Sequence, residues 1–141
     1  MKALRSLIRL HRARLDERRR ELVALESQRA VVEAERERME RELLEEQRAA
    51  RGSLEGGWAY ARYARRVLER RAGFAARLAE LDELIAQATA AVAAAYQELK
   101  RYDVALDNHR KRLRGEAERR HQAIQDEIAL TMYRRREAEG T

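Results

Sequence analysis

The sequence contains no proline and no cysteine, and only seven of its 141 residues are aromatic. An interior proline costs a helix about 3 kcal/mol, so the absence of proline favours long uninterrupted helices. The absence of cysteine excludes disulfide bonds and thiolate metal sites, which fits a cytoplasmic protein. Few aromatic residues, with Ala, Leu, Arg and Glu dominating, are typical of a coiled coil rather than of a compact globular core.

Long apolar runs are also missing. The longest uncharged stretch, 84–97, has 14 residues, whereas a transmembrane helix needs about 20. Arginines, and not an apolar segment, follow the basic N-terminus, so no signal peptide is expected. The six glycines never approach the spacing of a phosphate-binding loop. A helical hairpin also offers no cleft in which carboxylates would acquire shifted pKa values. We therefore expect a non-enzymatic protein without cofactor or metal.

The charged residues are unevenly distributed. Residues 1–20 carry eight basic and two acidic side chains, and residues 110–136 carry nine basic and four acidic ones. Residues 21–109 carry 14 basic and 17 acidic side chains, although the whole chain has a net charge of +6. Both ends of the chain are thus basic, and the middle is weakly acidic.

Apolar residues recur every three to four positions in two long segments, which predicts two coiled-coil helices. In the first, about 2–50, the seam positions are Leu4, Ile8, His11, Leu15, Arg18, Leu22, Leu25, Arg29, Val32, Arg36, Met39, Leu43, Glu46 and Ala50. In the second, about 74–136, they are Phe74, Leu78, Leu81, Ile85, Ala88, Val92, Ala95, Leu99, Tyr102, Leu106, His109 and Leu113. Beyond Leu113 the apolar positions shift to Ala117, Ile124, Ile128 and Met132, and a frayed tail is expected from Glu137.

Three glycines within residues 51–57 break the first helix. We expect a tip at 51–73 with a short helix over 58–72, and Gly73 as a weak interruption. The predicted fold is therefore all-α: a single antiparallel two-helix coiled-coil hairpin with a short helical segment at its tip. Such a hairpin brings the two basic segments together at one end.

The favoured register pairs residues whose numbers add to 124, so that Val32 meets Val92 and Arg29 meets Ala95. Alanine there leaves room for the arginine stem to cross the seam. Registers with totals of 117 or 110 also align the seams but match arginine to alanine less well. In the favoured register His11 faces Leu113 and His109 faces Leu15.

The remaining features allow more than one interpretation. The basic end is compatible with an RNA-binding coiled-coil arm, but its arginines alternate with glutamates and the aromatic residues lie at the other end. The aromatic group Trp58, Tyr60, Tyr63 and Phe74 forms either a hydrophobic plug at the tip or a binding site. Histidines His11 and His109 are interpreted as seam residues rather than as a metal pair.

Several segments together resemble the FliJ family of flagellar export proteins. They are the start Leu4, Leu7, Ile8, Arg9 and Leu10, the run Asp16-Glu17-Arg18-Arg19-Arg20, the tip Tyr60-Ala61-Arg62-Tyr63, the stretch Asp126-Glu127-Ile128-Ala129 and the run Arg134-Arg135-Arg136. Each motif is weak alone, but their order covers essentially the whole chain. The equivalent stalk of a virulence-type secretion system is the nearest alternative.

This resemblance implies a cytoplasmic protein at the inner-membrane flagellar basal body, associated with the membrane only through partners. Its implied partners are the flagellar export ATPase hexamer, the cytoplasmic domain of the export-gate membrane protein and export chaperones, with no nucleic acid. The basic end that would contact the ATPase ring comprises Arg9, Arg12, Arg18, Arg19, Arg134 and Arg135.

The resemblance also implies a gate-contacting stripe made of Phe74, Leu78, Leu81 and Ile85, where Ile85 departs from a polar residue that the family can carry. The alternative interpretation is that all four residues pack on Leu43 and Met39. In the favoured register the first helix is nearly at its end opposite Phe74. We therefore expect Phe74 to lack a full partner and to remain available to the gate.

Overall fold

The computed structural model describes residues 2–51 and 54–140, with the backbone alone for 54–57. These residues form two helices and no strand: α1 spans Lys2–Ala50 and α2 spans Leu54–Glu139. The helices pack against each other, which confirms the predicted all-α helical hairpin. Part of the predicted glycine break, Gly52 and Ser53, lies outside the described residues.

The second helix begins at Leu54 and not near Phe74, so the separate tip helix expected over 58–72 is wrong. Gly73, expected as a weak interruption, lies within α2. A Cβ atom added there would meet no atom within 4 Å, so this glycine does not mark a close approach. A helical glycine costs about 1 kcal/mol relative to alanine. That cost does not interrupt a long helix built mainly from alanine, arginine, leucine and glutamate.

Both helices end with a basic side chain in the last turn, Arg48 in α1 and Arg136 in α2. Such charges complement the negative end of the helix dipole. The backbone N–H of Gly140 donates a hydrogen bond of 3.0 Å to the carbonyl of Arg136. The helix α2 continues to Glu139 and so includes part of the tail expected to be frayed.

The buried core follows the predicted seams. Seven of the buried apolar residues are seam residues: Ile8, Leu15, Met39, Leu43, Leu78, Leu81 and Leu99. The eighth, Val67, lies in the segment expected to form the tip. No polar or charged residue is buried in the part of the chain that the structure describes. The seam arginine Arg29 therefore keeps its charged group at the edge of the interface, where water and carboxylates reach it.

Two ion pairs between the helices define the register. Arg29 Nε lies 2.6 Å from Asp82 Oδ1, and Arg71 Nε and Nη2 each lie 2.5 Å from the carboxylate oxygens of Glu40. The residue numbers of both pairs add to 111, so the helices are antiparallel. The favoured total of 124 is wrong by about two heptads, and the observed register is close to the alternative of 110.

The error has a physical cause. Apolar seams repeat every heptad, so several alignments bury similar apolar surface. The early start of α2 leaves only residues 51–53 between the helices. The helices consequently pair from close to this connection, and Arg29 lies beside Asp82 instead of beside Ala95.

The contacts divide the chain into two units. One unit contains Met1–His11 and Glu98–Thr141, and the other contains Arg12–Gln97. Stacking of the His11 and Tyr102 rings, with centroids 4.6 Å apart and planes 23° apart, joins the two helices of the first unit. The expected contact of His11 with Leu113 is therefore wrong. No helix among the described residues is long and apolar enough to cross a membrane.

Candidate partner-binding surfaces

The C-terminal segment of α2, residues 116–136, is exposed at every position. It belongs to the unit in which His11 stacks on Tyr102. That contact places Lys2, where α1 begins, opposite about residue 111, since facing residues run in opposite directions. The described part of α1, which starts at Lys2, does not lie along the following turns of α2. At 1.5 Å per residue, the chain beyond this point up to residue 136 extends roughly 35 Å.

An apolar stripe runs along this bare helix. We define the C-terminal stripe as Leu113, Ala117, Ile124, Ile128 and Met132, which are the shifted apolar positions of the sequence with Leu113 before them. Ile124, Ile128 and Met132 line a shallow surface groove together with polar neighbours such as Arg135. Leu130 and Tyr133 project from other sides of the same helix. A helix with one exposed apolar stripe is suited to packing against a partner.

The six arginines predicted to form one basic end are all exposed. Arg9, Arg134 and Arg135 belong to one unit, whereas Arg12, Arg18 and Arg19 belong to the other. Two of them form ion pairs within α1: Arg18 with Glu21 at 3.2 Å and Arg19 with Asp16 at 3.9 Å.

We expected segments 1–20 and 110–136 to lie side by side. For the residues of these segments that share a unit, 1–11 and 110–136, this expectation is wrong. The observed register leaves Arg134 roughly 35 Å along α2 from the residue opposite Lys2. The basic side chains of the C-terminal segment are therefore presented on a helix that α1 does not reach.

The stripe predicted to contact the export gate is largely core. Leu78 is buried and Leu81 is 0% exposed, whereas Phe74 and Ile85 are half-buried. Phe74 packs against the cluster of Met39, Leu43 and Val67. The prediction that Phe74 lacks a partner on α1 is thus wrong, because the observed register places it opposite the interior of α1 and not opposite its end.

One edge of Phe74 still faces the surface. The Arg70 guanidinium lies over its ring, 6.0 Å from the centroid, within the range of a cation–π contact. Beside the ring is an open groove lined by Val32, Glu35, Arg70, Gly73, Phe74 and Arg77. Gly73 contributes no side chain to this groove, so a small apolar group of a partner can reach the exposed edge of Phe74.

The four aromatic residues of the predicted group differ in their burial. Tyr60, Tyr63 and Phe74 pack against the cluster of Met39, Leu43 and Val67, as the plug interpretation predicts, and Gln47 Nε2 donates a 2.7 Å hydrogen bond to the Tyr60 hydroxyl. Trp58, in contrast, is 71% exposed.

Three arginines lie close to Trp58 on the surface. Arg62, Arg65 and Arg66 line a concave surface with Ala59. The spacing of Trp58, Arg62, Arg65 and Arg66 at i, i+4, i+7 and i+8 places them on one side of a helix. This spacing is visible in the sequence. It indicates a surface only when residues 58–72 are known to belong to a helix whose other side packs against α1.

The ion pairs between the helices shift the pKa values of Glu40, Arg71 and Arg29. The hydrogen bond from Arg71 lowers the pKa of Glu40, and the same contact raises the pKa of Arg71. The hydrogen bond to Asp82 likewise raises the pKa of Arg29. Both pairs join α1 to α2 and fix their alignment. Their role is to select the register of the two helices rather than to perform chemistry.

No protein family, curated protein or solved structure matches this chain significantly.

Proposed function

We propose that this protein is a non-enzymatic component of the bacterial flagellar type III export apparatus. In this proposal it acts as a stalk in the ring of the export ATPase, contacts the export gate and escorts export chaperones. It would work in the cytoplasm, peripherally at the inner-membrane basal body. The ordered resemblance of the sequence to the FliJ family and the helical hairpin both support this assignment.

The observation that carries the proposal is the bare C-terminal segment. A helix that is exposed on all sides gains no stability from tertiary packing. The C-terminal stripe nevertheless keeps large apolar side chains in water over several turns, Ile124, Ile128 and Met132 among them. Burial of this stripe against a partner would remove that apolar surface from water. A stalk that inserts its end into a protein ring has such a surface.

The charge of this region supports a partner with acidic groups. Residues 110–136 carry nine basic and four acidic side chains. Charge complementarity mainly accelerates association and orients the partners, while the apolar contacts supply most of the affinity. We therefore propose that arginines such as Arg134 and Arg135 increase the association rate, and that the C-terminal stripe supplies most of the binding affinity.

In this proposal, only the accessible part of the predicted stripe contacts the export gate. Leu78 and Leu81 are buried between the helices and hold the hairpin together. The groove beside Phe74 is the accessible part of the predicted stripe. A gate contact would therefore use the edge of Phe74 with Val32 and Arg77.

The ATPase proposal is tested with two double variants of equal charge and exposure. Ile124→Glu with Ile128→Glu changes stripe residues that are 58% and 55% exposed. Leu130→Glu with Tyr133→Glu changes residues on other sides of the helix that are 49% and 60% exposed. Binding of each full-length variant to the purified export ATPase is measured by surface plasmon resonance.

The stripe variant is expected to bind about tenfold or more weakly, because central apolar contacts dominate interface energies. The control variant should remain within about threefold of the wild type. A wild type that does not bind the flagellar ATPase contradicts the proposal. Tighter binding to the ATPase of a virulence-type system would assign the protein to that system instead.

A further inference from the structure

One exposed face of α2, near the start of the helix, has no role in the function proposed above. We define the Trp58 face as Trp58, Arg62, Arg65, Arg66 and Leu68. At 100° per residue, the other four members lie within about 80° of Trp58 around the helix axis. The side chains packed against the core, Tyr60, Tyr63, Val67 and Phe74, lie on the opposite side. The face therefore points away from α1.

Large apolar groups on this face are in contact with water. Trp58 is 71% exposed and Leu68 is 61% exposed. Ala61 and Ala72 lie between them around the helix and are also exposed. Leu68 and the alanines form the apolar side of the face, and Trp58 lies at the boundary with its basic side.

The other side of the face is basic. Arg62, Arg65 and Arg66 are exposed, and no ion pair joins any of the three to a carboxylate among the described side chains. This distinguishes them from Arg71, which is held by Glu40. The concave surface that the three arginines line is open to an anionic group. Among the described side chains of residues 58–72, one carboxylate, Glu69, lies on the same side of the helix.

We infer that the Trp58 face binds the surface of an anionic lipid bilayer, with α2 lying parallel to it. Tryptophan favours the level of the lipid headgroups because its ring is apolar and its indole N–H is polar. Arginine guanidinium groups bind lipid phosphates in a bidentate manner. Apolar side chains beside a basic strip are typical of helices that lie in the membrane interface.

The composition of the face favours lipid over nucleic acid. Recognition of single-stranded nucleic acid uses several aromatic rings on which successive bases stack. Here Tyr60 and Tyr63 pack against the core, so Trp58 is the one mostly exposed aromatic ring among the described residues near the three arginines. Leu68 has no role in binding phosphates, but it fits an acyl-chain boundary. The inference does not depend on the ATPase proposal and differs from the expectation that membrane association occurs only through partners.

The chain offers a direct spectroscopic test, because Trp58 is its one tryptophan. The full-length protein is titrated with vesicles of phosphatidylcholine and with vesicles in which about one-third of the lipid is phosphatidylglycerol. A shift of Trp58 emission to shorter wavelength with the anionic vesicles alone is expected. Arg62→Gln, Arg65→Gln and Arg66→Gln together should weaken binding roughly 100-fold, since each arginine at an anionic surface contributes about fivefold.

The matched control replaces Arg38, Arg41 and Arg48 by glutamine, which removes the same charge from exposed positions of α1. This control should bind within about threefold of the wild type. Equal losses in both triple variants would mean attraction by net charge alone and would overturn the inference. The absence of any emission shift, or tighter binding to a single-stranded RNA oligonucleotide than to the anionic vesicles, would overturn it as well.

Discussion

At the scale of single residues, the arginine pairs between the helices select one alignment among several. The Arg71–Glu40 pair is bidentate, with both contacts at 2.5 Å, yet its side chains are about 40% exposed. Exposed ion pairs contribute little to stability, whereas bidentate geometry adds specificity. A shift by one heptad would separate Arg71 from Glu40 and Arg29 from Asp82. These pairs therefore discriminate between registers that bury similar apolar surface.

The Glu40–Arg71 pair predicts a pH dependence of stability. The pKa of Glu40 is lowered in the folded state, chiefly by the hydrogen bond from Arg71. Its contribution is thus fully present above the ordinary value of 4.5 and is lost as the pH falls through the lowered pKa. We expect Glu40→Gln to be less stable than the wild type at pH 7 and the difference to shrink below pH 4.5.

Urea unfolding at a series of pH values measures this difference. Glu45→Gln, which replaces an exposed carboxylate on the same helix, is the control for the loss of one negative charge. A Glu40→Gln difference that stays constant from pH 7 into the acid range would show that the Arg71 contact is not made in solution.

Burial predicts an order of stability losses among three apolar residues. Leu81→Ala should cost about 2–5 kcal/mol, because a fully buried leucine leaves a cavity. Phe74→Ala should lose more than about 1 kcal/mol, since its ring packs on Met39, Leu43 and Val67. Trp58→Ala should change stability by less than about 0.5 kcal/mol, because Trp58 is mostly exposed. Equilibrium unfolding of the three variants gives the order, and a Trp58→Ala loss as large as that of Leu81→Ala would refute it.

At the scale of helices, the packed parts and the bare part of α2 form for different reasons. The paired turns are stabilised by seam residues such as Leu81 and Leu99. The C-terminal segment depends on its lack of proline and on local contacts, for example Glu116 with Arg120 and Gln122 with Asp126. Because it continues a helix that is already nucleated, it needs no separate nucleus. Its stability in isolation is nevertheless low.

The register predicts distances between spin labels. Labels at Val31 and Glu80, two exposed positions whose numbers add to 111, should be separated mainly by the helix-to-helix spacing of about 8–10 Å plus the label arms. Labels at Val31 and Ala93, which face each other in the register that adds to 124, should be about 20 Å further apart along the axis. Electron paramagnetic resonance on both pairs separates the two registers.

A shorter distance for Val31 and Ala93 than for Val31 and Glu80 would contradict the observed alignment. Circular dichroism of the labelled proteins serves as the control for folding, because neither position in either pair is buried.

The sequence contains the information for the helices and their buried faces but not for their alignment. Heptad spacing identified Met39, Leu43, Leu78 and Leu81 as facing inward because periodicity is a local property. Alignment depends on where α2 begins. Three glycines suggested a long interruption, yet Gly56 and Gly57 lie within the helix. Local propensity did not predict this, since glycine is unfavourable inside a helix.

At the scale of the whole molecule, the candidate surfaces were predictable to different degrees. The basic excess of the C-terminal segment is visible in composition, and its apolar stripe is visible in spacing. Its exposure could not be predicted, because it follows from the register. The wrong register is also the reason for the expectation that Phe74 lacks a partner on α1. The Trp58 face could not be recognised from the sequence, because it is defined by the fact that Tyr60 and Tyr63 face the core.

The net charge of +6 thus has two separate consequences. The arginines of the C-terminal segment accompany an apolar stripe suited to a protein partner, whereas those of the Trp58 face accompany a tryptophan suited to lipid. Charge alone does not distinguish these roles, and the apolar neighbours do.

Hydrogen exchange of the C-terminal segment, with and without the export ATPase, tests the central claim most directly. In the free protein, amides of residues 116–136 should exchange much faster than those near Met39 and Leu81, because only local helix stability protects them. Addition of the ATPase should slow exchange in this segment, with the largest effect around Ile124 and Ile128. Binding of the ATPase that leaves these amides unprotected, or slow exchange of the segment in the free protein, would contradict the account.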